Sequence, residues 1–149
     1  MELYHASKEI VQYPEIRKTK YTKDFSWGFY CTNNMNQAIR WANRGIGEPI
    51  INYYEYVPTE NLKILRFPEI SDEWLDFIAE CRSGKTHTYD IVEGPMANDT
   101  VWNYVNDFLT GRITRRQFWV LAEFKYPTHQ ISFHTLSAID CLTFMKSEV

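Results

Sequence analysis

The sequence predicts an α+β fold, in which strands and helices follow one another without regular alternation. The order of the patterns leads to this prediction, because a doubly wound parallel sheet would need a helix after each strand. Length and composition also predict that residues 1–149 form a single domain. The chain has 149 residues, 44% of them hydrophobic, and no stretch rich in Pro, Gly or Ser that is long enough for a linker.

Strand patterns dominate the first half of the chain. Runs rich in Ile, Tyr, Phe and Val predict strands over Leu3–His5, Trp27–Thr32, Ile50–Val57 and Leu62–Phe67. One helix is predicted between the second and third strands, over Asn34–Arg44. Its residues Ala38, Trp41 and Ala42 recur at helical spacing, and Gly45 marks its end.

Helix signals dominate the second half. The candidate N-caps are Ser71, either Asn98 or Asp99, and Thr114. Thr114 also forms a capping-box pattern with Gln117, three residues later. Two further strand patterns cover Tyr89–Glu93 and His129–His134. A short helix or a strand is expected near the C-terminus.

Composition excludes several classes of function. The net charge is −3 and the sequence pI is about 5.8, which argues against a broad surface for nucleic acid. No apolar stretch approaches the ~18 residues of a membrane span, and the first residues lack the layout of a secretory signal. Cys31, Cys81 and Cys141 are spaced too widely for a disulfide framework or a zinc site. We therefore expect free thiols in a cytoplasmic protein without membrane association.

The first candidate binding segment is Tyr4-His5-Ala6-Ser7, at the end of the first predicted strand. Its backbone N–H and C=O groups suit a carboxamide, and the His5 imidazole beside the Ser7 hydroxyl suits a ribose. The alternative is a half-buried histidine whose hydrogen bond is satisfied by a neighbouring carbonyl.

The second candidate segment runs from Asp24 to Thr32 and is followed by Trp41. Gly28 allows another group to approach the backbone closely. Tyr30 lies on a predicted strand and Trp41 on the following helix, so the two rings can face each other across a planar ligand such as nicotinamide. The alternative is that both rings pack in the core.

The third candidate segment is the predicted strand that contains Gln130. Alternation places Gln130, Ser132 and His134 on one face, with the intervening apolar residues on the other. Gln130 is expected to reach into a cleft, whereas Ser132 and His134 are expected to face solvent. His129 and His134 point to opposite sides of the strand, so no metal site is predicted.

Taken in this order, the three segments resemble those of the ADP-ribosyltransferases of the diphtheria-toxin and poly(ADP-ribose)-polymerase class. That class carries a His–Tyr–Glu triad. The His lies in an H-G-S-like segment, the Tyr in a G-[IF]-Y-[FL]-[AT] segment, and the Glu at the start of a later strand. His5, Tyr30 and Gln130 stand in those places here, and Trp41 stands where the class has a second aromatic ring.

Over nearly its whole length the chain is also similar to a family of small bacterial ADP-ribosyltransferase-like proteins, often encoded beside a small partner in a toxin–antitoxin-like arrangement. The shared blocks D-F-x-x-G-F-Y-x-T, Q-A-x-x-W-A and Y-D-x-V-x-G-P-x-A-x-D begin here at Asp24, Gln37 and Tyr89. The resemblance implies an ADP-ribosyltransferase-like fold of two small, mostly antiparallel sheets that form an NAD cleft with flanking helices. The NAD-binding residues that it implies are His5, Ala6, Ser7, Gly28, Tyr30 and Trp41. The catalytic residues that it implies are His5, Tyr30 and Gln130.

Two residues depart from the pattern of the class. Ala6 replaces the usual Gly, which is tolerated if only its backbone binds the carboxamide. Gln130 replaces the usual Glu, whose charge stabilises an oxocarbenium-like ribose. A unit charge pair at about 4 Å is worth ~4 kcal/mol at an effective dielectric of 20, so its loss costs on the order of a thousandfold in rate. Glu93, Asp90 and Asp99 are the candidates to supply the charge instead; the alternative is a structural role, in which Asp90 fixes a turn and Asp99 caps a helix.

Three functional hypotheses follow. The first is a mono-ADP-ribosyltransferase that consumes NAD, releases nicotinamide and transfers ADP-ribose to a macromolecular acceptor, protein or nucleic acid. Such an enzyme is expected to act as a toxin or defence effector with a cognate antitoxin, and without a metal. The second hypothesis is an NAD or ADP-ribose binding module, which the neutral Gln130 favours. The third is a protein-interaction domain that keeps only the fold.

Overall fold

The computed structural model describes residues 1–18, 23–97, 99–124 and 127–149. Within these ranges it contains seven strands and five helices, so the α+β prediction is confirmed. The strands are β1 (Glu2–Ser7), β2 (Phe29–Cys31), β3 (Ile50–Tyr56), β4 (Ile64–Arg66), β5 (Ile91–Gly94), β6 (Gln130–Phe133) and β7 (Leu142–Glu148). The helices are α1 (Met35–Ala42), α2 (Asp72–Arg82), α3 (Asp99–Leu109), α4 (Arg115–Leu121) and α5 (Leu136–Ile139).

The strands form two sheets. One has the order β1-β3-β7 and is antiparallel, and the other has the order β2-β6-β5-β4, in which the β4–β5 pair is parallel and the other pairs are antiparallel. A bridge links the sheets, because Tyr4 of β1 and Thr32 next to β2 exchange backbone hydrogen bonds of 2.8 and 2.9 Å. The two sheets therefore meet between the first two strands of the chain.

Three apolar clusters hold these layers together. The first lies between the sheets and includes Leu3, Tyr54 and Ile131. The second packs helices α2, α3 and α4 against the other face of the β2-β6-β5-β4 sheet; its buried members are Phe25, Trp74, Leu75, Ile78, Val92, Ala97, Val101, Val105 and Phe118. The third packs α1 on the β1-β3-β7 sheet through Ala38, Ala42, Ile51 and Tyr53. The three cysteines are buried and free.

The helix starts agree with the cap signals. The Ser71 hydroxyl accepts a hydrogen bond from the Trp74 N–H at 3.2 Å, and Thr114 and Gln117 form the predicted capping box. The choice between residues 98 and 99 as the cap of α3 lies outside the described residues. No helix in the described part of the chain is long and apolar enough to cross a membrane.

The strand bounds differ from the predictions by at most two residues at either end, and the differences at β1 and β2 bear on the candidate site. β1 extends beyond the predicted end to Ser7, because it pairs with β3 as far as Ile50. β2 begins only at Phe29, because the chain bends before it and Ser26 adopts a φ of 76°. The C-terminal region contains both predicted alternatives, since α5 is followed by β7, which pairs with β3.

Candidate functional site

A cleft of about 450 Å³, called here the larger cleft, opens beside the bridge between β1 and β2. Segments that are far apart in the sequence supply its walls: the end of β1, β2, α1 and the start of β6. The predicted site residues that line it are His5, Ala6, Tyr30, Trp41 and Gln130. The other lining residues, for which the sequence predicts no role, are Lys23, Asp24, Arg44, Arg82, Met96 and Ala97.

A second cleft of about 210 Å³, called here the smaller cleft, adjoins the first. His5, Lys23 and Tyr30 line both clefts. Ser7 and Gly28, which were predicted to bind NAD, line the smaller cleft and not the larger. The predicted residues therefore surround two adjoining hollows with a shared wall, rather than one.

His5 is held in a single protonation state. Its Nδ1 lies 2.6 Å from the carbonyl oxygen of Tyr30, and because a carbonyl only accepts, Nδ1 carries the proton. Its ring stacks on Phe29 with 4.2 Å between centroids. Burial lowers the pKa of His5 to about 4, and the nearby positive charges of Lys23 and Arg17 act in the same direction. At neutral pH the imidazole is therefore uncharged, and its Nε2 is a hydrogen-bond acceptor.

Asn52, a fully buried residue of β3, anchors the chain that follows β1. Its Nδ2 donates to the carbonyl oxygens of His5 and Glu9, both at 3.3 Å, and its Oδ1 accepts from the Val11 N–H at 2.9 Å. This side chain fixes the wall of the smaller cleft. Asn52 was not among the predicted site residues, although a lone amide in the apolar run Ile51-Asn52-Tyr53 was the available signal.

Tyr30 presents its ring to the clefts, because its hydroxyl is engaged in the preceding loop. The hydroxyl accepts from the Phe25 N–H at 3.0 Å and donates to the Ser26 carbonyl at 2.6 Å. Burial raises the pKa of Tyr30 well above its ordinary value, so the phenol stays neutral. The ammonium of Lys23 lies 5.9 Å from the centroid of the ring, within the range of a cation–π contact.

The close approach that Gly28 permits comes from within the chain. A Cβ at this position would lie 2.8 Å from Nδ1 of His134 and 2.9 Å from the carbonyl oxygen of Phe133. Glycine is therefore required here by the packing of β6, whether or not a ligand approaches as well.

The expectation that Ser132 and His134 face solvent is wrong. Ser132 is 0% exposed, and its hydroxyl lies 2.7 Å from Nε2 of His134, whose Nδ1 donates to the Trp27 carbonyl at 2.7 Å. The ring of His87 packs against His134 with 4.4 Å between centroids. Alternation correctly placed the two residues on one face, but it could not show that another layer of the protein covers that face.

Trp41 is half-buried on α1 and belongs to none of the three apolar clusters of the described residues. The alternative of core packing therefore fails for Trp41, whereas Tyr30 does pack against the second cluster. Gln37, one turn earlier, donates from Nε2 to the His129 carbonyl at 2.6 Å and accepts from the His129 N–H at 3.0 Å. This reciprocal pair joins α1 to the start of β6 and so positions Trp41 relative to Gln130.

Gln130 contacts the ion pair of Asp24 and Arg82, both of which also line the larger cleft. Its Nε2 donates to Oδ2 of Asp24 at 3.0 Å and to the Pro95 carbonyl at 3.4 Å. Asp24 also accepts hydrogen bonds from the Arg82 guanidinium, with Nε at 2.8 Å from Oδ1. The guanidinium lies over the ring of Trp102, with 3.6 Å between Cζ and the centroid.

Neither Glu93 nor Asp90, two of the candidates for supplying a charge, lines the larger cleft. Glu93 accepts from Nε2 of His129 at 2.7 Å and lines a separate cleft of about 280 Å³. Asp90 accepts from the Lys63 N–H at 2.8 Å and the Thr135 hydroxyl at 2.7 Å, and it does not line the larger cleft. The side chain of residue 99 lies outside the described part. Asp24 is the carboxylate that lines the larger cleft.

Comparison with known proteins gives one match. A family model described as "Protein of unknown function (DUF3990)" matches residues 1–144, a range that contains every residue lining the larger cleft. No curated protein and no solved structure matches the chain.

Proposed function

The chain belongs to the DUF3990 family, and we propose that it is a mono-ADP-ribosyltransferase with NAD as its substrate. The observation that carries the proposal is convergence, because His5, Tyr30, Trp41 and Gln130 come from four separate segments and line one cleft. We also propose that the fold is ADP-ribosyltransferase-like. Two small, mostly antiparallel sheets that meet beside a cleft are what the ADP-ribosyltransferase-like fold requires.

Five of the residues that line the larger cleft have a role in holding NAD. The nicotinamide ring lies between the rings of Tyr30 and Trp41, and the backbone beside Ala6 binds its carboxamide. A ribose hydroxyl donates to Nε2 of His5, which is an acceptor because Nδ1 donates to the Tyr30 carbonyl. Two adjoining clefts suit a dinucleotide, and the Lys23 ammonium on their shared wall suits its diphosphate.

The reaction exchanges one bond to the ribose for another. The bond between C1′ and the pyridinium nitrogen breaks, and its electron pair stays on that nitrogen, so neutral nicotinamide leaves. The acceptor's nucleophilic atom forms a new bond to C1′ and loses its proton to solvent. The ribose becomes oxocarbenium-like between these events, and Oε1 of Gln130 stabilises it by accepting a ribose hydroxyl hydrogen bond.

Release of nicotinamide from labelled NAD in the presence of a cell lysate tests the proposal. Trp41→Ala is the sharpest variant, because the Trp41 ring belongs to no apolar cluster of the described residues, whereas Tyr30→Ala would also remove the hydroxyl that anchors the preceding loop. Ile39→Ala, on the outer side of the same helix, is the control. We expect release to be lost in Trp41→Ala and kept in Ile39→Ala. Absence of release by the wild type with every lysate fraction would refute the proposal.

A second candidate function is an NAD or ADP-ribose binding module. It is favoured by the engagement of both Asp24 oxygens with donors of the chain, which leaves no carboxylate with an unengaged oxygen at the larger cleft within the described residues. Calorimetry that shows binding without consumption of NAD would support this candidate over the enzyme. A domain that keeps only the fold would show no thermal shift with NAD.

The proposed enzyme acts as a toxin whose cognate antitoxin covers the cleft. Expression of the chain alone should then slow bacterial growth, and Trp41→Ala should relieve the effect. Equal growth inhibition by the wild type and by Trp41→Ala would contradict the toxin role of this cleft.

A further inference from the structure

Asp24 lies behind Gln130 in the wall of the larger cleft and is only 5% exposed. Donors of the chain engage both of its oxygens. Oδ1 accepts from the guanidinium of Arg82, while Oδ2 accepts from the Ala97 N–H and from Nε2 of Gln130, both at 3.0 Å. A buried carboxylate with this set of partners is fixed in position.

This arrangement determines which end of the Gln130 amide faces the cleft. A carboxylate only accepts hydrogen bonds, so Gln130 must turn its NH₂ group toward Asp24, and the same nitrogen also donates to the Pro95 carbonyl. Among the described residues no donor bonds to Oε1 of Gln130. The oxygen is therefore the end left for a ligand in the cleft that Gln130 lines.

We propose that Asp24 is a positioning residue, which keeps the oxygen of Gln130 toward the larger cleft and its nitrogen away from it. This inference rests on the proposed function and adds a residue to it. Asp24 and Gln130 act as a carboxylate–amide pair in which donors of the chain engage both carboxylate oxygens and the amide oxygen is left as a neutral acceptor at the cleft. The amide needs this support, because a free glutamine side chain can turn either end toward a ligand.

Arg82 determines what a neutral substitute at position 24 would do. Its guanidinium is held by the Trp102 ring and offers only donors, so an asparagine at position 24 must turn its oxygen toward Arg82. The asparagine nitrogen then faces both the Ala97 N–H, which loses its acceptor, and Gln130, which must rotate its own oxygen inward to accept from that nitrogen. As a result, Asp24→Asn would present the Gln130 NH₂ group to the cleft in place of the oxygen.

Asp24→Asn is expected to slow the chemical step rather than to weaken NAD binding. A ribose hydroxyl can donate to an oxygen or accept from an NH₂ group, so NAD affinity should change little in Asp24→Asn. An NH₂ group cannot stabilise the positive charge that develops on the ribose. Nicotinamide release should therefore slow by about tenfold or more, the equivalent of one hydrogen bond in the transition state.

Exchanging the two groups should restore the reaction. In the double variant Asp24→Asn with Gln130→Glu, the new carboxylate accepts from the asparagine nitrogen and turns its second oxygen to the cleft. Gln130→Glu alone should behave differently, because it places a second carboxylate at the 3.0 Å distance that now separates Gln130 Nε2 from Asp24 Oδ2. Like charges this close raise the pKa of the pair, so relative to the wild type this variant should lose more stability at pH 8 than at pH 5.

The experiment compares the wild type, Asp24→Asn, Gln130→Glu and the double variant by NAD calorimetry, nicotinamide release, and thermal unfolding at pH 5 and pH 8. The matched control is Asp90→Asn, which removes a carboxylate that is also hydrogen-bonded through both oxygens but does not line the larger cleft. We expect a lower release rate with nearly unchanged NAD affinity in Asp24→Asn, rescue in the double variant, and full release in the control.

The outcomes separate the inference from the proposed function. If the wild type neither binds nor consumes NAD, the proposed function fails. The contact between Asp24 and Gln130 is then tested by thermal unfolding alone, which should show a pH-sensitive loss of stability in Gln130→Glu and its relief in the double variant. If the wild type consumes NAD but the double variant is as slow as Asp24→Asn, the proposed function stands and the positioning role of Asp24 is wrong.

Discussion

Acidification from pH 7 to pH 5 should destabilise the fold through two buried imidazoles. Burial lowers the pKa of His5 and that of His134 from the ordinary value of 6.5 to about 4. Because each folded pKa lies below the unfolded one, the unfolded chain binds protons that the folded chain does not bind between these two values. This contribution to stability is complete above pH 6.5 and is lost progressively as the pH falls toward 4.

The linkage relation gives the size of the effect. A shift from 6.5 to about 4 corresponds to a loss of ~2 kcal/mol for each imidazole between pH 7 and pH 5. Together the two residues would remove about 4 kcal/mol from a folding free energy that is typically about 5–15 kcal/mol. The pKa of His87, which packs on His134, is lowered as well and acts in the same direction.

Urea unfolding, followed by tryptophan fluorescence at pH 7, 6 and 5, measures this loss. His5→Asn is the informative variant, because the asparagine N–H can replace Nδ1 as the donor to the Tyr30 carbonyl but does not titrate. It should lose about half of the pH dependence that His5 and His134 produce together. Equal unfolding free energies of the wild type at pH 7 and pH 5 would refute the reasoning, as would undiminished pH dependence in His5→Asn.

Three further outcomes are expected. Trp41→Phe should bind NAD nearly as well as the wild type. Trp41→Ala should lose about 1–3 kcal/mol of NAD binding free energy in calorimetry, the value of one stacking contact, at unchanged melting temperature. Equal NAD affinities of Trp41→Ala and the wild type would show that Trp41 does not contact NAD. Lys23→Gln should weaken NAD binding and flatten its salt dependence but leave free nicotinamide unaffected, since only NAD carries a diphosphate; unchanged NAD affinity would exclude that contact. Thr114→Ala should cost about 1 kcal/mol in chemical denaturation and Thr114→Ser almost nothing, because the hydroxyl caps α4; an equal loss in both would show that packing, rather than the cap, is responsible.

Most elements of the fold could be predicted because their signals are local. Ser71 and Thr114 mark helix starts by side-chain chemistry that acts over three residues, and the alternation along β6 assigns Gln130 and Ser132 to one face. The grouping of His5, Tyr30 and Trp41 could also be predicted, since the spacing within each segment matches a known pattern.

The surroundings of Gln130 could not be predicted, because they depend on contacts that no local pattern encodes. Asp24 lies 106 residues from Gln130, and Arg82 lies 58 residues from Asp24. Periodicity shows which face a side chain takes but not what covers that face, and for this reason Ser132 was wrongly expected in solvent. The same limit hid the reciprocal bond between Gln37 and the backbone of His129, 92 residues away.

The bridge between Tyr4 and Thr32 also governs which insertions the gene can accept. One extra codon between that bridge and His5 would turn the imidazole to the opposite side of its strand, because side chains alternate at every residue. The exposed segment 45–48 has no such constraint, and additional residues would only lengthen a loop there. A library of single-codon insertions sorted for folded protein should therefore be depleted at the two bridged strands and populated at this loop.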